Sequence, residues 1–330
     1  MRVAAIDCGT NSIRLLVADV EPAGRSDGNG GSGGNGEGNG AGILVDLDRR
    51  MEIVRLGEGV DRTGRLAPEA LDRTFAACRT YAGVIGAHGV DRMRFVATSA
   101  TRDADNRADF VAGVQEILGV EPRVVTGAEE AWLSFIGATR GLAVGPNAAP
   151  VLVVDIGGGS TEFVLGDEQV TAACSVDVGC VRLTERHLVS DPPTSAQIGS
   201  ARADVAAAIE QVGRSVPLDR ARSLVGLAGS VTTVAAMALG LERYDAARIH
   251  RARIGADRVH EVTARLLAMT RAERAELGVM HPGRADVIGT GALILAAVVD
   301  RVGLPELIAS EHDILDGIAW WLAELPRADR

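Results

Sequence analysis

Apolar residues run along this chain in strand-length blocks, and twice a block is broken by an aspartate followed by a turn of glycines and hydroxyls. The first block is Val3-Ala4-Ala5-Ile6-Asp7, its turn is Cys8-Gly9-Thr10-Asn11-Ser12, and apolar and β-branched residues resume over 13–20. The second is Val151-Leu152-Val153-Val154-Asp155, turning through Ile156-Gly157-Gly158-Gly159-Ser160-Thr161 and resuming over 162–166. A strand pattern follows each turn, so both are predicted to lie in hairpins. Around the first, strands are predicted at 43–47 and 51–56, a helix opened by Pro68 to about 81, a buried strand at 94–100 entering a helix at 103–118, and a strand at 122–125. Around the second, the pattern predicts strands at 170–176 and 223–228 and helices at 195–212, from Ser230 onward and over 286–302. A hairpin followed by strand, helix and strand, occurring twice, predicts a duplicated α/β fold. Its mixed sheets carry helices on their faces, and its two turns face each other across a cleft. The expected divisions are a first domain at 1–125, a second at 126–308, and a C-terminal helix at 309–330 packing on the first domain.

Composition narrows the function classes. The 330 residues exceed the size at which one core usually stops growing, which agrees with two domains. All 34 cations are arginine, so the lysine of a Walker loop is missing, and a Rossmann fingerprint would need a helix after its glycines. Only ten residues are aromatic and the net charge is −10, which argues against nucleic acid as a partner. Cys8, Cys78, Cys174 and Cys180 show neither CxxC spacing nor companion histidines, so a reducing cytoplasm is expected and no zinc site. The longest apolar stretch, 287–299, is interrupted by Gly289, Thr290 and Gly291 and is too short to span a bilayer; no membrane association is expected. Residues 24–42 hold ten glycines and are predicted to form a disordered loop, at the far end of its hairpin from the first turn. Glycine admits an anion close to the backbone, successive amides form a nest of donors, and an adjacent aspartate can hold a divalent metal. Both turns therefore read as phosphate cradles, built from Gly9, Thr10, Asn11 and Ser12 and from Gly157, Gly158, Gly159, Ser160 and Thr161.

Five stretches in order resemble the exopolyphosphatase and guanosine pentaphosphate phosphohydrolase family, within the superfamily of sugar kinases, chaperone ATPases and actin. They are Asp7-Cys8-Gly9-Thr10-Asn11-Ser12, Ala97-Thr98-Ser99-Ala100-Thr101-Arg102, Gly127-Ala128-Glu129-Glu130-Ala131, Asp155 through Glu162, and Gly226-Leu227-Ala228-Gly229-Ser230. The resemblance implies two ribonuclease-H-like, actin-like ATPase domains with the active site in the cleft between them. It implies a cytoplasmic phosphoanhydride hydrolase that removes terminal phosphate from inorganic polyphosphate, with guanosine pentaphosphate of the stringent response as second substrate, Mg²⁺ or Mn²⁺ as cofactor, and a homodimer. The C-terminal helical domains of the longest members are missing, which implies shorter polyphosphate chains. Two alternatives stay open: a small-molecule kinase or ATPase of the same superfamily, and a non-catalytic binder of guanosine pentaphosphate.

Phosphoanhydride hydrolysis calls for a base for the attacking water, cations for the developing charge and a metal bridging oxygens. Thr126-Gly127-Ala128-Glu129 has capping-box spacing, which assigns Glu129 to the helix start and turns Glu130 about 100° onto another face. Glu130 is thus the candidate base, the residue matching the family's catalytic glutamate; otherwise it is a solvated first-turn acid. Asp155 and Asp7 are the metal candidates, each alternatively an Asx-turn cap. Glu162 is a third candidate, facing the metal or holding Arg102. Arg102, where a strand passes into a helix, could grip phosphate or pair with Asp103 or Asp105. Gly229-Ser230 offers an anion contact or a helix cap. Arg248, His250, Arg251 and Arg253 extend a positive lining or form a solvated strand, Arg284 and Asp286 start a core helix, and Trp320 and Trp321 mark packing or a dimer contact. Cys8 through Arg14 also satisfies the Cys-x5-Arg spacing of cysteinyl phosphatases. Those loops lead into a helix, whereas here a strand follows and Asp7 would raise the thiol's pKa.

Overall fold

The computed structural model describes residues 1–22, 42–142 and 148–325, so the glycine-rich stretch falls almost wholly outside the described residues. In the first lobe β1 (Arg2–Cys8), β2 (Ser12–Glu21) and β3 (Ile43–Ile53) are followed by α1 (Val60–Thr63), α2 (Pro68–His88), β4 (Arg92–Ala97), α3 (Ser99–Arg102), α4 (Arg107–Leu118) and β5 (Arg123–Val124). Then come α5 (Gly127–Thr139), β6 (Val151–Ile156), β7 (Thr161–Gly166), β8 (Val170–Val176), α6 (Cys180–His187), α7 (Ser195–Gly213), β9 (Ser223–Leu227) and α8 (Ala228–Ala238). The chain continues through α9 (Ala246–Ile249), β10 (Arg253–Gly255), α10 (Ala256–Ala268), α11 (Arg271–Ala275), α12 (Ile288–Val302), β11 (Glu306–Ala309) and α13 (Ile314–Glu324).

The first sheet has the order β3-β2-β1-β4-β5 and the second β10-β11-β9-β6-β7-β8. Read from β8, the second repeats the first with one strand added. In each, a hairpin pairs antiparallel and its first strand pairs parallel with the strand after the crossover: β1 with β2 and β4, β6 with β7 and β9. These are two ribonuclease-H-like mixed sheets of actin-like type. Their central strands are buried on both faces, which is why they read as continuous apolar blocks.

Two expectations fail for physical reasons. The predicted break between strands at 43–47 and 51–56 is a single edge strand, β3. Its charged middle is tolerated because the edge faces solvent and the charges pair locally, Arg49 with Asp46 and Arg50 with Asp48. The predicted helix 103–118 begins only at Arg107, as α4, and the end of the predicted strand 94–100 is instead the short helix α3, because β4 stops at Ala97 and the chain turns at Thr98. The elements α6, α10 and β11 carried no clear signal, being short or marked mainly by amphipathic spacing, and the solvated strand expected around Arg248 to Arg253 is helix α9 followed by β10, which holds only Arg253 of the four.

Helix α13 lies on the face of the first sheet that α2 and α4 leave uncovered, where Ile314, Leu315, Ile318, Ala319 and Leu322 pack with Val3, Ala5, Leu16 and Ala18. Helix α5 joins that cluster through Leu133, while Ala131, Phe135 and Ala138 pack on Val151, Val153 and Val225 of the second sheet. The two helices thus bridge the lobes. Trp320 and Trp321 are accounted for within the chain: Trp320 is buried beneath Arg140, and Arg94 lies 4.3 Å over the ring of Trp321. No helix among the described residues is long and apolar enough to cross a membrane.

Candidate active site

The two glycine turns meet. A Cβ on Gly158 would lie 2.9 Å from Thr10 Cβ, and one on Gly159 only 2.1 Å from Ser99 Oγ, so side chains there would force the lobes apart. Between the turns lies a narrow cavity of ≈ 90 Å³. Its walls hold Asp7, Gly9, Thr10, Asn11 and Ser12 from the first turn, Asp155, Gly157, Gly158, Gly159 and Ser160 from the second, and Glu130, Gly229 and Ser230. At the β9-to-α8 junction Ala228 adopts φ 69, a left-handed conformation that costs a non-glycine residue of order 1 kcal/mol and here shapes the cavity wall.

Three predicted residues lie off that wall. Arg102 stands behind Glu130, donating Nη1 to Glu130 Oε2 at 3.1 Å and to the Val125 carbonyl at 3.0 Å, and it lines a separate outer groove. Its pairing is with the glutamate, not with Asp103 or Asp105. Thr161 turns inward and donates to the Val178 carbonyl at 2.5 Å. Glu162 pairs opposite Asp155 in the β6–β7 register, so the two share a face, but it sits one strand further from the cavity and accepts from Ser175 Oγ at 2.8 Å. It therefore neither lines the cavity nor holds Arg102. Among the described residues no three His, Cys, Asp or Glu side chains converge as a metal-ion group. The Arg248, His250, Arg251 and Arg253 cluster lies away from the cavity walls, with Arg251 bonded to the Gly141 carbonyl and Arg253 paired with Glu306.

Glu129 and Glu130 take separate directions, as the spacing predicts. Thr126 and Glu129 form a reciprocal capping box and Glu129 pairs with Arg123 on the surface. Glu130 is buried, and burial, opposed by Arg102 and assisted by Asp155, pushes its carboxyl up to about 7. Asp155 is likewise pushed up to about 7 by burial, against a 2.7 Å hydrogen bond from Ser134 Oγ. Asp7 is raised by burial despite Arg14, and Glu162, deepest of all, is raised well above the carboxylate range by burial and by its neighbours Glu130 and Asp155. Three raised carboxyls on the walls of one cavity, Glu130, Asp155 and Asp7, are the arrangement proton-transfer sites use.

Several contributors escaped the sequence reading. Ser134 follows Glu130 by four residues on α5, so it shares its face and could have been found by helical spacing. Arg284, assigned no chemistry from sequence, lies against Gly229, where a Cβ would come within 2.3 Å of its guanidinium carbon. It forms no side-chain hydrogen bond or ion pair among the described residues and lines both the cavity and a roomier one of ≈ 430 Å³ beside it, whose walls mix apolar side chains with Arg49, Arg50 and His281. Met51, Tyr244, Val279, Met280 and Leu315 wall that second cavity. The rival thiol, Cys8, is buried in the core of the first lobe beside Cys78, off the cavity wall, and burial raises its pKa well above the ordinary thiol value.

Residues 37–321 match the model of the Ppx/GppA phosphatase family. The chain belongs to the Ppx/GppA phosphatase family. It is 51% identical to Exopolyphosphatase 2 of Mycobacterium tuberculosis, covering 98% of each chain. Among solved structures of this family type, an exopolyphosphatase-like protein superposes with TM-score 0.86 at 44% identity, covering 97% of this chain and 98% of the other. The Ppx/GppA family member of Aquifex aeolicus superposes with TM-score 0.77 at 27% identity, covering 98% and 97%.

Proposed function

We propose that this chain is an exopolyphosphatase that hydrolyses the terminal phosphoanhydride of inorganic polyphosphate. The observation that carries the reading is the cavity between the facing glycine turns, with a buried glutamate of raised pKa on one wall and, on another, Arg284, which has no ion-pair partner among the described residues. The near-full-length similarity to Exopolyphosphatase 2 supports the substrate class. In this reading the turn amides and Arg284 hold the terminal phosphoryl group. Glu130 takes a proton from the attacking water, which bonds to phosphorus while the bridging oxygen leaves with the shortened chain. Arg102, at the back of Glu130, orients the carboxylate. Direct water attack needs no thiol, and the buried, protonated Cys8 offers none.

The donor set fits Mg²⁺ or Mn²⁺: Asp7 and Asp155 supply only oxygens to the cavity, and Asp7 Oδ1 is buried without a hydrogen-bond partner among the described residues. Those two residues would hold the ion, whose charge would offset that of the phosphate oxygens. Glu162, off the wall, is dropped from the set.

Guanosine pentaphosphate is the second substrate in this reading. The larger cavity that shares Arg284 and Gly229 with the phosphate site supports it, since Met51, Tyr244, Val279 and Met280 offer a base an apolar wall, while Arg49 and Arg50 on the same walls serve further phosphates of either substrate. Four free cysteines support a reducing, cytoplasmic setting. The test is phosphate release from short polyphosphate, long polyphosphate, guanosine pentaphosphate and ATP, with Mg²⁺ and with chelator. Turnover of short polyphosphate is expected; turnover of ATP alone would favour a kinase or ATPase, and binding of guanosine pentaphosphate without turnover would favour a non-catalytic binder.

A further inference from the structure

Asp7 is held rather than free. Arg14, its cross-strand partner in the β1–β2 hairpin, donates Nε at 3.0 Å and Nη2 at 2.6 Å to the same oxygen, Asp7 Oδ2, and its Nη1 to Asp313 Oδ2. The other oxygen, Asp7 Oδ1, is left without a hydrogen-bond partner among the described residues. Asp313 is the N-cap of α13: its Oδ1 accepts from the Leu315 amide at 2.9 Å, and its own amide donates to Asp316 Oδ2 at 2.9 Å. Asp316 is buried and anchored by Arg49 at 2.6 Å. Helix α13 is pressed backbone to backbone on α5, since a Cβ on Gly137 would lie 1.8 Å from the Asp313 carbonyl oxygen and one on Gly317 2.0 Å from that of Leu133. Helix α5 carries Glu130 and Ser134, the latter bonded to Asp155. One helix crossing therefore sets the positions of Glu130, Asp155 and, through Arg14, Asp7.

We propose that Asp313 is a positioning residue which, by drawing Arg14 toward the C-terminal helix, keeps one oxygen of Asp7 available to the catalytic cavity; this rests on the exopolyphosphatase reading above. One guanidinium shared between two carboxylates leaves a unit of negative charge uncancelled. Both Asp313 oxygens are already engaged, by the Leu315 amide and by Arg14, so the unpartnered lone pairs are those of Asp7 Oδ1. With Asp313 neutral, Arg14 would be released to pair with Asp7 as a two-pronged fork, covering Oδ1 and cancelling its charge.

Asp313→Asn keeps an oxygen for the helix cap and removes the charge. With short polyphosphate, kcat is expected to fall ~10-fold with KM within about twofold, and binding of Mn²⁺ to the substrate-free protein, read from the free-ion electron paramagnetic resonance signal, to weaken ~10-fold. In an Asp7→Asn background the same change is expected to lower kcat no further, because the oxygen it exposes is already lost. Additive losses in that double variant, or a lowered Tm with unchanged kcat and Mn²⁺ midpoint, would reduce Asp313 to scaffolding and overturn the proposal. Should Asp313→Asn not fold, Asp313→Ser also retains a cap acceptor and carries the same expectations. A wild type inactive on polyphosphate would sink the functional reading, while the Mn²⁺ titration would still decide the Asp313 coupling.

Discussion

Glu130→Gln removes a negative charge from a buried side chain while leaving its shape and its ability to accept from Arg102. The carboxyl lies at about 7 in the fold against an ordinary 4.5, chiefly because burial disfavours its charged form. Between those two values the folded protein keeps a proton that the unfolded chain releases. Stability from this group is therefore fully present below the ordinary value and is lost as pH rises through about 7. At about 1.4 kcal/mol per unit, the loss at alkaline pH is on the order of 3 kcal/mol, which glutamine does not incur. The variant should thus melt several degrees above wild type at pH 8.5 and close to it at pH 5, taking roughly 2 °C or more per kcal/mol for a chain of this size. Catalysis moves the opposite way. Wild-type kcat/KM should rise with pH through about 7 as the base of the free enzyme loses its proton, and Glu130→Gln should depress kcat ~10²-fold or more with little change in binding. Phosphate-release kinetics across pH 5 to 9, with melting curves at both ends, checks both halves. A kcat within tenfold of wild type, or a Tm change equal at the two pH values, would refute the reasoning.

Glu129→Gln should leave kcat within about twofold and cost at most ~1 kcal/mol, since the residue serves the capping box and a surface ion pair; a larger kcat loss than for Glu130→Gln would reverse the assignment within the pair. Activity should vanish in chelator and return with Mg²⁺ or Mn²⁺, and Asp155→Asn should raise the metal midpoint while lowering turnover, with Asp7→Asn doing so less; full activity of Asp155→Asn at an unchanged midpoint would leave Asp155 a turn cap. Arg284→Gln should raise KM for polyphosphate ~10-fold or more with a smaller effect on kcat, which steady-state kinetics resolves; an unchanged KM would remove Arg284 from the phosphate site. Cys8→Ala should retain most activity per folded molecule; loss of turnover with a phospho-enzyme trapped in wild type would restore the cysteine mechanism.

The duplicated order of strands, the two hairpin turns and the separate directions of Glu129 and Glu130 were legible in sequence because each is local. Strand period, glycine content and capping-box spacing act over a few residues, and the structure places the turns, Glu130, Asp7 and Asp155 around one cavity without rearranging any of those elements. Even Glu162 was misplaced only in direction: its position in the hairpin follows from the turn, but whether its side chain reaches the cavity depends on the sheet's distance from the facing lobe.

Contacts between segments far apart in the chain were decided by tertiary structure alone. Arg284 reaches the cavity across more than fifty residues from Gly229 because α12 packs in the second lobe's core, and no periodicity in Pro282-Gly283-Arg284 announces a cation on the cavity wall. Arg14 and Asp313 are separated by 299 positions, and their meeting requires α13 to return to the first sheet and press on α5. The raised pKa values of Glu130 and Asp155 have the same origin. A carboxyl's ordinary pKa belongs to the residue type, but its desolvation belongs to whatever the rest of the chain packs around it.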